Sequence, residues 1–160
     1  MRRTETSDGH QARLATPFAV LGIRHEADCL TGIDFLPRKT PPLSPQTRFA
    51  EKVSKRLKAY LQDPDASFDL PFRLKGTAYQ RRVWQAIMQI QRGHTQTYGE
   101  LARKLFSGPR AVGQACGANP IPIIVPCHRV LGSGNLGGFM NCDEGDPLAI
   151  KRWLLMHERG

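Results

Sequence analysis

Residues 119–130 read Asn119-Pro120-Ile121-Pro122-Ile123-Ile124-Val125-Pro126-Cys127-His128-Arg129-Val130. Three prolines fix φ and remove backbone donors, so this stretch is neither the middle of a helix nor a central strand. It is a rigid approach to Cys127. After Ile-Ile-Val a cysteine reads by default as a small buried apolar residue. An imidazole and a guanidinium directly after it open a second reading, because both groups can favour the nucleophilic thiolate or accept its proton. A histidine base works best when a third group fixes its tautomer. Glu158 is the candidate that can fold back onto His128.

Working outward, Asp146-Pro147 has the pattern of an N-cap and a first-turn proline. Behind it Ile150, Trp153, Leu154 and His157 form an apolar-side stripe of a final helix. Upstream, Thr77 with Gln80 and Thr97 with Glu100 are two capping-box patterns. The first opens a helix striped by Val83, Trp84, Ile87 and Ile90; the second opens a short helix carrying Leu101 and Leu105. Ser107-Gly108-Pro109 then turns the chain into a short helical stretch at 110–118. Helix, glycine-containing turn and helix together suggest a helix-turn-helix. Ala111, Gly113, Ala115, Gly117 and Ala118 leave its second helix nearly bare, so that a backbone or sugar can approach. Arg110 at its start is placed to reach phosphates or enter a base stack.

The N-terminal third reads differently. Residues 1–14 form a loose polar leader. Phe18–Ile23 and Cys29–Leu36 are a candidate strand pair, and Thr40-Pro41-Pro42-Leu43-Ser44-Pro45 breaks the sheet before a helix with Phe49, Val53, Leu57 and Leu61 on one face. Asp63 to Gly76 is a connector. The expected fold is therefore α/β of the α+β kind: a strand-and-helix lobe at 15–75 and a mainly helical lobe with the helix-turn-helix at 76–160. No period of 20 to 50 residues repeats.

The chain has 160 residues, 23 Lys and Arg against 14 Asp and Glu, and a net charge of +9. With 40% hydrophobic and 23% charged residues it is neither a disordered nor a membrane-embedded composition. Between Thr77 and Cys142 lie seven basic residues and a single acid, Glu100. Basic excess concentrated beside a helix-turn-helix points to a polyanion such as DNA. Four widely spaced cysteines without a CxxC pair fit a reducing, cytoplasmic compartment. No signal peptide or membrane span is read, and no histidine has ligand-like spacing to a cysteine, so neither membrane nor metal is expected.

Pro126-Cys127-His128-Arg129-Val130, preceded by Arg110-Ala111-Val112-Gly113 and Asn119-Pro120-Ile121-Pro122, resembles the active-site signature of the O6-alkylguanine-DNA alkyltransferases. The resemblance runs from about Gly76 through Tyr98-Gly99-Glu100-Leu101-Ala102 to Trp153-Leu154-Leu155-Met156-His157-Glu158. It implies direct repair by a monomer on double-stranded DNA: an O6-alkylguanine, with O4-alkylthymine as a further candidate, is flipped out, and Cys127 keeps the alkyl group irreversibly, with no cofactor. It further implies that His128 acts as base through a water, Glu158 orients it, Asn119 holds the cysteine segment, and Tyr98 donates a proton and crowds the phosphate. Arg110 would fill the gap left by the flipped base, beside DNA contacts from Ala111, Gly113, Ala115 and Arg129. Pro122, Val130, Phe139 and Met140 would line the pocket. Two departures stand out: a longer, acidic segment at 140–146, and Cys116 in the recognition helix.

Three other readings remain at this level. A lesion-binding protein without transfer is disfavoured by Cys127 itself, a Cys-His hydrolase would need an oxyanion hole, and a plain DNA-binding module would not need the thiol.

Overall fold

The first third folds into a three-stranded antiparallel meander: β1 (Ala12–Ala15), β2 (Val20–Glu26), whose first four residues are all buried, and β3 (Cys29–Leu36), in the order β1-β2-β3. The computed structural model describes residues 9–139 and 147–159. Ala12 pairs with Ile23 and Ala15 with Val20, so the loose leader expected over 1–14 already contains strand at 12–14. His10 is also buried, its Nε2 2.7 Å from Asp34 Oδ2. Its ring occupies the space that a Cβ on Gly22 would need, at 2.4 Å. Two small residues, Ala27 (φ 51°) and Asp28, turn the β2–β3 hairpin.

Thr47 caps α1 (Arg48–Gln62), its side chain accepting the Ala50 N–H. The buried face is Phe49, Ala50, Val53, Ser54, Leu57 and Tyr60; Leu61, expected on it, is only partly buried. A strict four-residue series rotates about 40° further round a helix at each step, so its fourth member leaves the face and Tyr60 takes the place.

Both expected capping boxes form. Thr77 and Gln80 start α2 (Ala78–Ile87); Thr97 and Glu100 start α3 (Tyr98–Leu105). Between α3 and α4 (Pro109–Gly117) the reversal begins at Phe106, which sits in the left-handed region at φ 53° and is 97% exposed. β4 (Gln96–Thr97), just before α3, pairs in parallel with β5 (Val130–Leu131), tying the start of the helix-turn-helix to the end of the Cys127 turn. α5 (Pro147–Arg159) closes the fold. Asp146, expected as its cap, lies outside the described residues.

The expected lobes share one continuous core. Leu21, Ile23 and Ile33 of the sheet join Val53 and Leu57 of α1, Val83, Trp84 and Ile87 of α2, and Val125 and Leu154 around the site. The Ile33 N–H donates to the Pro120 carbonyl at 3.0 Å, so β3 braces the segment that leads to Cys127.

Candidate active site

Ile123 occupies φ 76°, a conformation costly for a β-branched residue. Around it the Val125 N–H returns to the Ile121 carbonyl at 2.9 Å, and the Cys127 N–H to the Val125 carbonyl at 2.8 Å. This tight loop delivers Cys127 at the head of a 3-10 turn, Cys127–Arg129. Asn119 staples the loop. Its Nδ2 donates to the Val125 carbonyl at 2.8 Å and to Cys127 Sγ at 3.1 Å, while its Oδ1 accepts the Ile121 N–H at 2.9 Å.

Cys127 is 3% exposed and borders a cavity of about 440 Å³. The other walls include Tyr98, Arg110, Gly113, Cys116 and Phe139. Burial and the neighbouring Cys116 thiol push the Cys127 thiol well above its ordinary range, against Asn119 and Lys151, which pull it down. The resting sulfur is therefore protonated and needs a base.

His128 and Glu158 supply that chemistry. His128 Nε2 lies 2.8 Å from Glu158 Oε2, with His128 fully buried and Glu158 1% exposed. The carboxylate fixes the proton on Nε2. Nδ1 is buried and has no hydrogen-bond partner among the described residues, which leaves its lone pair for proton abstraction. Burial lowers the His128 pKa, only partly offset by Glu158. Burial alone would raise the Glu158 carboxyl, but bonds from His128, Arg129 and Tyr60 hold it far below the usual range.

Tyr98 opens α3, and its hydroxyl donates to the Gly138 carbonyl at 3.2 Å. Burial, followed by the Cys116 and Cys127 thiols, pushes it up to about 12, so it remains a donor. Gly137, at φ 71°, has to lack a side chain: a Cβ would sit 2.7 Å from the Tyr98 ring. Phe139 lines the cavity, backed by Phe35 with ring centroids 5.7 Å apart.

Other expected residues are placed differently. Arg129 is spent inside the protein: Nε and Nη2 donate to Glu158 at 2.8 and 2.9 Å, and Nη1 to the Ile90 carbonyl at 2.6 Å. A buried carboxylate needs that compensation, so these donors are not available to phosphates. Ala115 is 3% exposed on the core side of α4, and its carbonyl accepts the Trp84 Nε1–H at 2.8 Å. Ala111 and Gly113 are partly exposed and Arg110 is exposed. Pro122 and Val130 are buried outside the cavity walls. The Val130 carbonyl already accepts from Lys151 Nζ at 2.7 Å. Met140 lies outside the described residues.

Two site residues escaped the sequence reading. Lys151 is completely buried, and Nζ also donates to the Leu136 and Gly138 carbonyls at 2.6 and 2.8 Å, anchoring the loop that ends at Phe139. Burial brings its pKa down to about 8. Lys151, Leu154 and Glu158 share a helical face, so accepting an inward Glu158 already implied an inward Lys151. Tyr60, from α1, donates to Glu158 Oε2 at 2.6 Å.

The family described as "6-O-methylguanine DNA methyltransferase, DNA binding domain" matches residues 78–160. A methylated-DNA–protein-cysteine methyltransferase of Mycobacterium tuberculosis is 36% identical over 157 residues, which span 94% of this chain and 92% of that protein. The chain belongs to this family. A methylated-DNA–protein-cysteine methyltransferase of Archaeoglobus fulgidus is 37% identical over 108 residues, covering 67% of this chain and 74% of that one. The crystal structure of the M. tuberculosis O6-methylguanine methyltransferase superposes with a TM-score of 0.77 at 34% identity, over 92% of this chain and 90% of that chain. The mycobacterial protein crystallised with DNA gives 0.77 at 36% identity, over 92% and 91%. The residues matched by that family's DNA-binding domain, 78–160, include the whole helix-turn-helix and the Cys127 turn.

Proposed function

We propose that this protein repairs O6-alkylguanine in double-stranded DNA, acting as a monomer that accepts one alkyl group on Cys127 and stops. The observation that carries the proposal is the placement of a buried thiol, beside an imidazole with a free Nδ1, in a cavity walled by the helix-turn-helix. In the transfer, His128 Nδ1 takes the thiol proton through a water, while Glu158 stabilises the resulting imidazolium. The thiolate attacks the alkyl carbon: an S–C bond forms as the C–O6 bond breaks. The electron pair goes to guanine, which takes up a proton, so the products are a thioether and unmodified guanine. Asn119 holds Sγ and its loop, and the Tyr98 hydroxyl offers the proton to the departing base.

Base access requires flipping, which costs a few kcal/mol of stacking and pairing. Arg110 is exposed at the start of α4 and on the cavity rim, where it can fill the vacated stack. Ala111 and Gly113 give α4 a low surface for the DNA backbone, and Phe139 supplies an aromatic wall for the base. The 76–160 segment thus carries the reacting groups, and 15–75 braces them. A thioether chemistry that depends on a free thiol fits a reducing compartment such as a cytosol.

Intact and peptide mass spectrometry after mixing with an oligonucleotide containing one O6-methylguanine tests the proposal. The expected result is a gain of one methyl, about 14 Da, on the Cys127 peptide, absent in Cys127→Ser. Retained DNA binding without that gain would leave a lesion-binding protein and sink the transfer reading.

A further inference from the structure

We infer that Tyr60 is a positioning residue of the transfer site, its hydroxyl setting how strongly Glu158 holds the His128 imidazole. The inference rests on the transfer reading above. Tyr60 comes from the last turn of α1, 98 residues before Glu158 in sequence, and both side chains are buried. Its Oη donates at 2.6 Å to Oε2, the same oxygen that bonds His128 Nε2 at 2.8 Å and accepts from Arg129 Nη2 at 2.9 Å. One carboxylate oxygen is therefore shared by three donors.

The ring of Tyr60 has its own packing role, against Phe68 and His157 at centroid separations of 5.4 and 5.1 Å. A phenylalanine would satisfy it. The hydroxyl is what packing leaves unexplained. α1 is also held at this point: His157 Nε2 lies 2.6 Å from the Tyr60 carbonyl, and Arg92 bridges Asp65 and the Glu158 carbonyl, so the hydroxyl is aimed rather than incidental. Burial, reinforced by Glu158, raises the Tyr60 pKa, so the group stays a donor throughout the working range.

Among the described residues, the charged and titratable neighbours around His128 are Glu158 and Lys151 of α5, Arg129 of the 3-10 turn and Cys127, with Arg92 on the Glu158 backbone and Tyr60 from α1. Arg129 and Lys151 disfavour the imidazolium; Glu158 is the group that favours it. A donor on Oε2 withdraws part of that favour, because a hydrogen-bonded carboxylate in a low-dielectric site presents less charge to its other partners. Tyr60 then keeps His128 neutral, and ready as a base, to lower pH than Glu158 alone would permit.

The test compares wild type and Tyr60→Phe in two ways: the single-turnover transfer rate as a function of pH, and the His128 titration of DNA-free protein followed by 15N NMR. The expected result is a shift of both the acidic limb and the imidazole titration to higher pH by about half a unit or more, with duplex affinity within twofold of wild type. In a Glu158→Gln background the Tyr60→Phe shift in the titration should disappear. Replacing Tyr60 with 3-fluorotyrosine keeps ring and hydroxyl and strengthens the donor, so it should move the titration the other way even if Tyr60→Phe does not fold. Superimposable titrations across these variants, or an undiminished shift without the Glu158 carboxylate, would overturn the inference. Absence of transfer in wild type would instead defeat the repair reading, while the NMR titration still decides the role of Tyr60.

Discussion

Lys151 shows how one residue can hold a site without touching the reacting atoms. A fully buried ammonium is costly, and this one is offset by three carbonyls, of Val130, Leu136 and Gly138. Lys151→Met keeps the length and removes the donor, leaving those carbonyls short of a partner. We expect a loss of roughly 2–4 kcal/mol, seen as a thermal midpoint lower by about 5–15 °C in circular dichroism. His128 and Glu158 make a prediction about acid. Below the ordinary imidazole value of 6.5 the unfolded chain takes up a proton that the buried, pKa-lowered His128 refuses, so stability falls as pH drops from there. Glu158, lowered from 4.5, contributes stability that is present above that value and lost as pH falls further. Calorimetry over pH 7 to 3 should show a midpoint that declines from about 6.5 downward; an unchanged midpoint down to pH 5 would contradict a buried neutral His128.

At the scale of elements, capping chemistry placed helices where apolar periodicity alone would have left their starts open. Thr97 and Glu100 begin α3 at Tyr98, which puts that hydroxyl on the cavity rather than a residue earlier or later. Periodicity fared less well for α4, whose alanines and glycines look alike in sequence. Its neighbours decide the faces: Ala115 turns to Trp84, whereas Arg110 and Gly113 meet the cavity. Arg110→Ala should therefore lower transfer from duplex DNA by roughly 10- to 100-fold, the equivalent of a few kcal/mol of lost help in flipping. Transfer from the free O6-methylguanine nucleoside, which needs no flipping, should change far less. Rapid-quench kinetics on both substrates separates the two.

For the whole molecule, charge and braces matter together. Arg103, Lys104 and Arg110 are exposed on the helix-turn-helix. If Arg103 and Lys104 each neutralise a phosphate while Arg110 enters the base stack, log K should fall with log salt at a slope near −1.8, or about 12-fold in affinity from 50 to 200 mM. Fluorescence anisotropy with a labelled duplex measures it, and a flat salt response would remove α3 and α4 from the interface. The N-terminal lobe contributes none of those charges but reaches the site at several points. β3 holds Pro120, Phe35 backs Phe139, and α1 bonds Glu158.

Local chemistry in the sequence determined a great deal: both capping boxes, the rigid approach to Cys127, and the adjacency of thiol and imidazole. The resemblance to the alkyltransferases, running from about Gly76 to Glu158, supplied the family and the inward role of Glu158. The capping boxes, the rigid approach and the thiol–imidazole adjacency were legible because each depends on residues within a few positions of one another, whereas Glu158, 30 residues from His128, was legible through the resemblance. Arg129 reads in sequence as a cation for DNA, yet the structure turns each of its three guanidinium nitrogens to Glu158 or Ile90, since a buried carboxylate has to be neutralised from whatever lies near it in space. Tyr60 and Lys151 were hidden for the same reason. One sits in an apolar helix face 98 residues from its partner, and the other serves carbonyls of a loop that no periodicity describes. Sequence specifies which groups are available, whereas their pairing in the low-dielectric interior was decided by the tertiary fold, where every buried charge and donor has to find a partner.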